Sequence, residues 1–262
     1  MRFATWNVNS IRARLYRVLA FLERHDVDVL AIQETKARDD QFPYLMFEAA
    51  GYEVAHFGTS AWNGVAVASR VGIEQVERGF DGQPQWGDPP DVEARALGAT
   101  CAGVRVWSVY IPNGRSQDDP HFLYKLDWLA HLRDAAAGWL TDDPDAQIVL
   151  AGDYNIAPRD EDVWSMDYYR PLTHVSPPER AGFDALVEAG YADPVRPLLP
   201  GPEVYTYWDY KRLAFPRREG MRIDFALSSP ALAARVVDAR VDRDERKGKG
   251  ASDHAPVILD LS

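Results

Sequence analysis

One cysteine in 262 residues, no long apolar run and a shortage of positive charge set the first limits on this chain. Cys101 has no partner within the chain, so a disulfide framework is excluded and a reducing compartment is expected. It sits in the strand-like run Ala99-Thr100-Cys101-Ala102 with no histidine motif beside it, and reads as a small buried hydrophobe rather than a nucleophile. No apolar stretch approaches the roughly 20 residues that cross a bilayer. The first residues, Met1-Arg2-Phe3-Ala4-Thr5-Trp6, run straight into a strand without a leader pattern, so a soluble, unexported, cytoplasmic protein with no membrane partner is expected. A formal net charge of −11 argues against nonspecific coating of nucleic acid, which rests on neutralising phosphates, but leaves room for a local basic rim.

What is present is enough apolar material, 46% of the chain, for one large core, and a single domain over residues 1–262 is expected. Ile11, Leu15, Val18, Leu19 and Leu22 share one helical stripe over residues 11–25, with Ser10 placed as an N-cap. Phe122, Leu126 and Leu129 mark a second amphipathic helix. Strand-like runs occupy residues 27–32, 64–69, 94–100, 104–110, 147–151, 223–227 and 257–261. Neighbouring strand pairs mixed with helix crossovers predict an α/β fold of two stacked sheets flanked by helices. Residues 81–91 and 158–180 read as long irregular segments, which in a compact enzyme are more often binding loops than linkers.

Five polar clusters each fall where an apolar run ends: Thr5-Trp6-Asn7-Val8-Asn9, Gln33-Glu34-Thr35, Gly152-Asp153-Tyr154-Asn155, Arg222-Ile223-Asp224 and Ser252-Asp253-His254. Taken singly, each has an ordinary reading. Glu34 can simply meet solvent, Gly152-Asp153 can be a turn, and Asp253-His254 a surface dipeptide. Together they deliver hard oxygen ligands and one imidazole from across the chain, a composition suited to Mg²⁺ and a phosphate ester. Glu34 is the first choice of ligand, Asp153 can take a proton from water with Asn155 beside it, and Asp224 can fix the tautomer of His254. Tyr110-Ile111-Pro112-Asn113-Gly114 is a turn flanked by two neutral donors, Tyr110 and Asn113. Residues 205–210 are rich in aromatics, and residues 211–222 carry five basic residues against one acid, a stripe suited to a nucleic-acid backbone beside an unstacked nucleotide.

In order along the chain, Trp6-Asn7-Val8-Asn9, Gln33-Glu34-Thr35-Lys36, Tyr110-Ile111-Pro112-Asn113-Gly114, Gly152-Asp153-Tyr154-Asn155, Thr206-Tyr207-Trp208-Asp209-Tyr210, Arg222-Ile223-Asp224 and Ser252-Asp253-His254 resemble the motifs of the exonuclease III family of apurinic/apyrimidinic endonucleases. The resemblance implies a four-layer α/β-sandwich with the site at one rim. It implies Glu34 as ligand to Mg²⁺ or Mn²⁺, with Asn7 and Asp253 close by. It implies Asp153 holding or activating water, Asn155 stabilising the transition state, Asp224 orienting His254, and Tyr110 and Asn113 at the phosphate. Trp208, Met221 and Ile223 would wall the pocket for a baseless sugar, and Asn9, Lys211, Arg212 and Arg222 would meet DNA. The implied function is a DNA repair nuclease, a monomer that cuts duplex DNA 5′ of abasic sites and processes 3′ ends. Two rivals stand beside it: a superfamily member acting on a phosphoinositide or sphingomyelin, and a DNA-binding scaffold that has lost its metal set.

Overall fold

Short β-branched runs and apolar helical stripes resolve, in a computed structural model describing residues 1–262, into eleven strands and flanking helices. The strands are β1 (Arg2–Asn7), β2 (Val29–Gln33), β3 (Glu53–Phe57), β4 (Val65–Ser69), β5 (Glu74–Arg78), β6 (Ala96–Cys101), β7 (Val104–Tyr110), β8 (Ile148–Asp153), β9 (Asp224–Ser228), β10 (Val236–Val241) and β11 (Val257–Leu261). The principal helices are α1 (Ile11–His25), α2 (Tyr44–Ala49), α3 (Pro120–Asp142), α4 (Met166–Tyr169) and α5 (Pro177–Glu188). One sheet runs β10-β11-β1-β2-β4-β3 and the other β5-β6-β7-β8-β9. Each is mixed: β1 and β2 are parallel, as are β7 and β8, and the remaining pairs are antiparallel.

Period-2 alternation sorts the side chains into layers. Phe3, Val29 and Val67 from the first sheet meet Leu97, Val106 and Val149 from the second in the central core. Their strand neighbours face outward: Trp6, Leu30 and Ile32 pack under α1 and α2 with Phe21, Leu22 and Phe47. On the other side Trp107, Leu150 and Phe225 pack under α3 and α5 with Trp128, Leu132 and Phe183. The four expected layers are therefore present. Polar groups also cross the sandwich, since Gln33 Nε2 donates to Ser108 Oγ at 3.0 Å and Ser108 Oγ donates to the Ile32 carbonyl at 2.9 Å. Buried groups paired in this way fix the register of one sheet on the other just below the rim where the strands end.

Ser10 does not cap α1, contrary to expectation. Its φ is 95° and its side chain makes no capping bond. Instead Ser10 N–H donates to the Glu34 carbonyl at 2.7 Å and Ile11 N–H to the Thr35 carbonyl at 3.0 Å, so the β2 exit itself satisfies the helix start. Residues 158–180 are also more ordered than expected, holding a 3-10 turn at Asp160–Asp162, α4 and the first turn of α5. α5 opens with Ser176 and Glu179 in a reciprocal capping box and Pro177 at its first position, a start signal that charges and aromatics upstream had obscured. No helix is long and apolar enough to cross a membrane.

Candidate active site

Strand register builds the site. Asn7 pairs with Gln33 at the ends of the parallel strands β1 and β2, and Tyr110, Asp153 and Asp224 lie in one row across β7, β8 and β9. Just past these ends the chain turns sharply, and Asn9, Glu34 and Asn155 take left-handed φ values of 45°, 51° and 51°. Such backbone is uncommon outside glycine, costs on the order of 1 kcal/mol or more, and persists where surrounding structure over-determines it. Gly152 lets β8 come close to β7: a Cβ there would lie 1.8 Å from the Val109 carbonyl oxygen.

Asn7 ties the carboxylates together, its Nδ2 donating to Glu34 Oε1 at 2.8 Å and to Asp153 Oδ2 at 2.9 Å. Lys36 Nζ lies 2.7 Å from Glu34 Oε2. His254 Nδ1 is 2.8 Å from Asp224 Oδ2, and Asp224 accepts a further bond of 2.6 Å from Thr206 Oγ1. The other imidazole nitrogen, Nε2, is 3.6 Å from Asp153 Oδ2, beyond hydrogen-bond length. Ligand atoms of Glu34, Asp153 and His254 all lie within 4.8 Å of one another. Asp253 stands farther out: it accepts from Asn9 Nδ2 at 3.0 Å, and Asn9 N–H donates to Asn7 Oδ1 at 3.0 Å.

Burial and charge set the protonation of this group. Burial works against a charged His254, yet Asp224 and Asp153 overcome it and push the imidazolium up to about 10. The Asp153 carboxyl is raised, first by burial and then by Asp224 and Glu34, with His254 opposing. For Glu34 burial is outweighed by Lys36 and by the Asn7 bond, and its pKa is lowered. The Tyr110 phenol is raised by burial and by Glu34, and stays a neutral donor. Asn155 is fully engaged at the backbone, its N–H donating to Asp153 Oδ1 at 2.9 Å. Its side chain accepts from Asn113 Nδ2 at 3.0 Å and donates to the Ile111 carbonyl at 3.0 Å. Each carboxamide NH₂ keeps one further hydrogen for an anionic oxygen.

A cavity of about 640 Å³ adjoins this group, walled by Trp164, Tyr168, Tyr169, His174, Tyr207 and Met221 and rimmed by Arg115, Lys211, Arg212 and Arg217. Met221, Lys211 and Arg212 thus line this cavity, and neither Lys211 nor Arg212 is engaged in an ion pair. Three expected positions need correction. Trp208 is 1% exposed and packs away from this cavity with Tyr205 and Phe215, beneath Arg243. Its neighbour Tyr207 faces the site, 4.9 Å from His254 between ring centroids, because successive residues of an extended segment point to opposite sides. Ile223 is buried behind Met221 in the Val163–Tyr169–Val175 cluster and is not on the cavity wall. Arg222, 3% exposed, is held by Asp162 at 2.8 Å and Asp193 at 2.7 Å and lies over Phe225, so it is structural. Lys36 and Thr206 also touch the group, although sequence reasoning gave neither a role of its own; the signal for Lys36 is its place two residues after Glu34, on the same turn.

Comparison with known proteins agrees with this geometry. Residues 4–254 match the model of the Endonuclease/Exonuclease/phosphatase family. The chain is 32% identical to exodeoxyribonuclease III of Haemophilus influenzae, with 98% of each chain covered. Its structure is similar to a 3′ phosphatase from Neisseria bound to a product DNA hairpin, at 37% identity and a TM-score of 0.94, covering 100% of this chain and 99% of that one. An AP endonuclease from Archaeoglobus fulgidus matches at 35% identity and a TM-score of 0.92 over the same shares. The convergent strand-end carboxylates, the sandwich beneath them and these full-length matches place the chain in the endonuclease/exonuclease/phosphatase family, and within it among the exonuclease III-type AP endonucleases.

Proposed function

We propose that this nuclease of the exonuclease III family hydrolyses phosphate esters of damaged duplex DNA with a divalent cation, Mg²⁺ by preference and Mn²⁺ in its place. It cuts the phosphodiester 5′ of an abasic site to leave a 3′-hydroxyl, and it removes nucleotides and phosphate from 3′ ends. The observation that carries this reading is the grouping of Glu34, Asp153 and His254 beside a cavity with aromatic walls and a cationic rim. We read residues 1–262 as one domain acting as a monomer.

The donor set suits a hard cation. His254 is committed to Asp224 and favours its charged form, which leaves Glu34 as the oxygen donor, tied through Asn7 to Asp153 beside it. One or two carboxylates are what Mg²⁺ requires when phosphate and water complete its shell. Glu34 would hold the ion, with Asn7 and Asp253 near it. Once bound, the cation would polarise the phosphate and lower the pKa of water. Asp153, whose raised proton affinity suits a base, holds the attacking water and takes its proton. His254 presents its Nε2–H and its charge to the phosphate, while Tyr110 and the spare amide hydrogens of Asn113 and Asn155 meet the anionic oxygens as charge builds there. The sugar is accommodated between Tyr207, Met221 and Trp164, and a baseless nucleotide reaches that position at less cost than a stacked one.

The named relatives span three reactions, an exodeoxyribonuclease, a 3′ phosphatase and an AP endonuclease. The test therefore uses three labelled duplexes with Mg²⁺: one with an internal abasic analogue, one with a recessed 3′ end and one with a 3′-phosphate. Metal-dependent product from the abasic duplex supports the reading. Product from none of the three would refute it.

A further inference from the structure

Beneath the Asn113–Asn155 pair lies a buried ion pair that the reaction does not touch. Lys125 and Glu179 have fully buried side chains, one on α3 and the other in the first turn of α5. Lys125 Nζ donates to the Asn155 carbonyl at 2.7 Å, to the Asn113 carbonyl at 3.2 Å and to Glu179 Oε1, and these bonds use all three of its hydrogens. Glu179 is equally committed: Oε1 also accepts the His174 N–H at 2.8 Å, and Oε2 accepts the Ser176 N–H at 3.1 Å. His174 Nδ1 lies 2.7 Å from the Asn155 carbonyl and donates to it, giving that oxygen two side-chain donors. The lysine stem packs against the turn itself, since a Cβ on Gly114 would sit 3.2 Å from Lys125 Cδ.

We propose that Lys125, held by Glu179, is a positioning residue that clamps the main chain of Asn113 and Asn155 so that their linked carboxamides face the phosphate in one fixed geometry. The contacts form a closed ring. The two asparagines are joined above by the 3.0 Å side-chain bond and below by one ammonium group. Asn155 needs such a hold because its left-handed backbone is unfavourable unless the surroundings enforce it. Stability alone does not account for the arrangement: both ions give up their hydration, and apolar pairs of similar volume are commonly at least as stable. The inference rests on the roles proposed above for Asn113 and Asn155.

The test is a double-mutant cycle on the 3′-phosphate duplex under saturating Mg²⁺. Lys125→Met combined with Glu179→Gln removes both charges and leaves the α5 cap an acceptor. A displacement of about 1 Å at a reacting group costs on the order of 100-fold. The double variant should therefore lose about 10- to 100-fold in kcat while KM stays within about threefold, because the cationic rim is intact. Asn155→Ala alone should lose on the order of 100-fold. In the Asn155→Ala background the charge-removing pair should cost several-fold less than it does in the parent, since the part of its effect that passes through Asn155 is already lost and only the hold on Asn113 remains. Parental kcat in the Lys125–Glu179 variant, or a full second loss on top of Asn155→Ala, overturns this inference and leaves the proposed function standing. Undiminished kcat in Asn155→Ala alone overturns the role of Asn155 and the inference together. If the charge-removing pair does not fold, the cycle is run with Glu179→Gln, judged by the same additivity, and failure of both variants to fold assigns the pair to stability and overturns the proposal.

Discussion

The substitution Asp224→Asn leaves shape nearly unchanged and removes the charge that keeps His254 protonated. Asp224 contacts the imidazole through both oxygens, at 2.8 and 3.1 Å, in surroundings where each partner is at most 3% exposed. It leads the influences that raise His254 to about 10 against burial. The carboxamide introduced by Asp224→Asn would keep its oxygen for the Thr206 hydroxyl, which bonds Asp224 at 2.6 Å, and turn its NH₂ toward Nδ1. That arrangement favours a neutral ring with its proton on Nε2. If the His254 pKa falls to the ordinary value of roughly 6.5, only about one molecule in ten is protonated at pH ~7.5, where the parent is almost wholly so. Turnover of a 3′-phosphate duplex at that pH should then drop about tenfold or more, with the loss narrowing as the pH is lowered toward ~6. The parent should show no such recovery. A variant whose pH–kcat curve simply parallels the parent's would refute the claim that Asp224 acts through the charge of His254.

Asp153→Asn should reduce kcat by orders of magnitude and leave DNA binding within a few-fold, measured by fluorescence anisotropy, because the base is lost and the shape kept. In the parent, the acid limb of kcat/KM should lie above the usual carboxylate range, since burial raises Asp153, and activity is gained as pH rises through that value. Saturating Mg²⁺ should move the limb to lower pH by favouring the ionised carboxylate; an unmoved limb would separate Asp153 from the metal. Lys211→Ala with Arg212→Ala should weaken all duplexes alike and flatten the slope of log affinity against log salt by about 2. Arg222→Ala should instead leave that slope unchanged and lower stability by about 3–5 kcal/mol in a denaturant titration, because Asp162 is left buried with its charge incompletely paired.

Much of this molecule is readable without coordinates because the chemistry-bearing residues end apolar runs. Asn7, Glu34, Asp153 and Asp224 each sit at a strand boundary, His254 lies in the segment that leads into β11, and strands of one layer end at a common rim. What sequence conceals is direction and partnership. Tyr207 and Trp208 are indistinguishable by composition, yet one faces the cavity and the other the core. Lys211 and Arg222 are alike as charges, but Arg222 is neutralised by Asp162 and Asp193, residues far from it in the chain. The edge strand β5 escapes detection since all five of its residues are exposed and no alternation marks it. The Lys125–Glu179 pair is hidden for the opposite reason: two charges on separate helices give no hint that both are buried.

The grouping of Glu34 with Asp153 and His254 is tested most directly by single-turnover cleavage of an abasic-analogue duplex at increasing Mg²⁺, parent and Glu34→Ala side by side. Saturable Mg²⁺ dependence in the parent, with at least about tenfold more metal needed by the variant, is the expected outcome. Superimposed curves, or parental turnover that persists in EDTA, would contradict it.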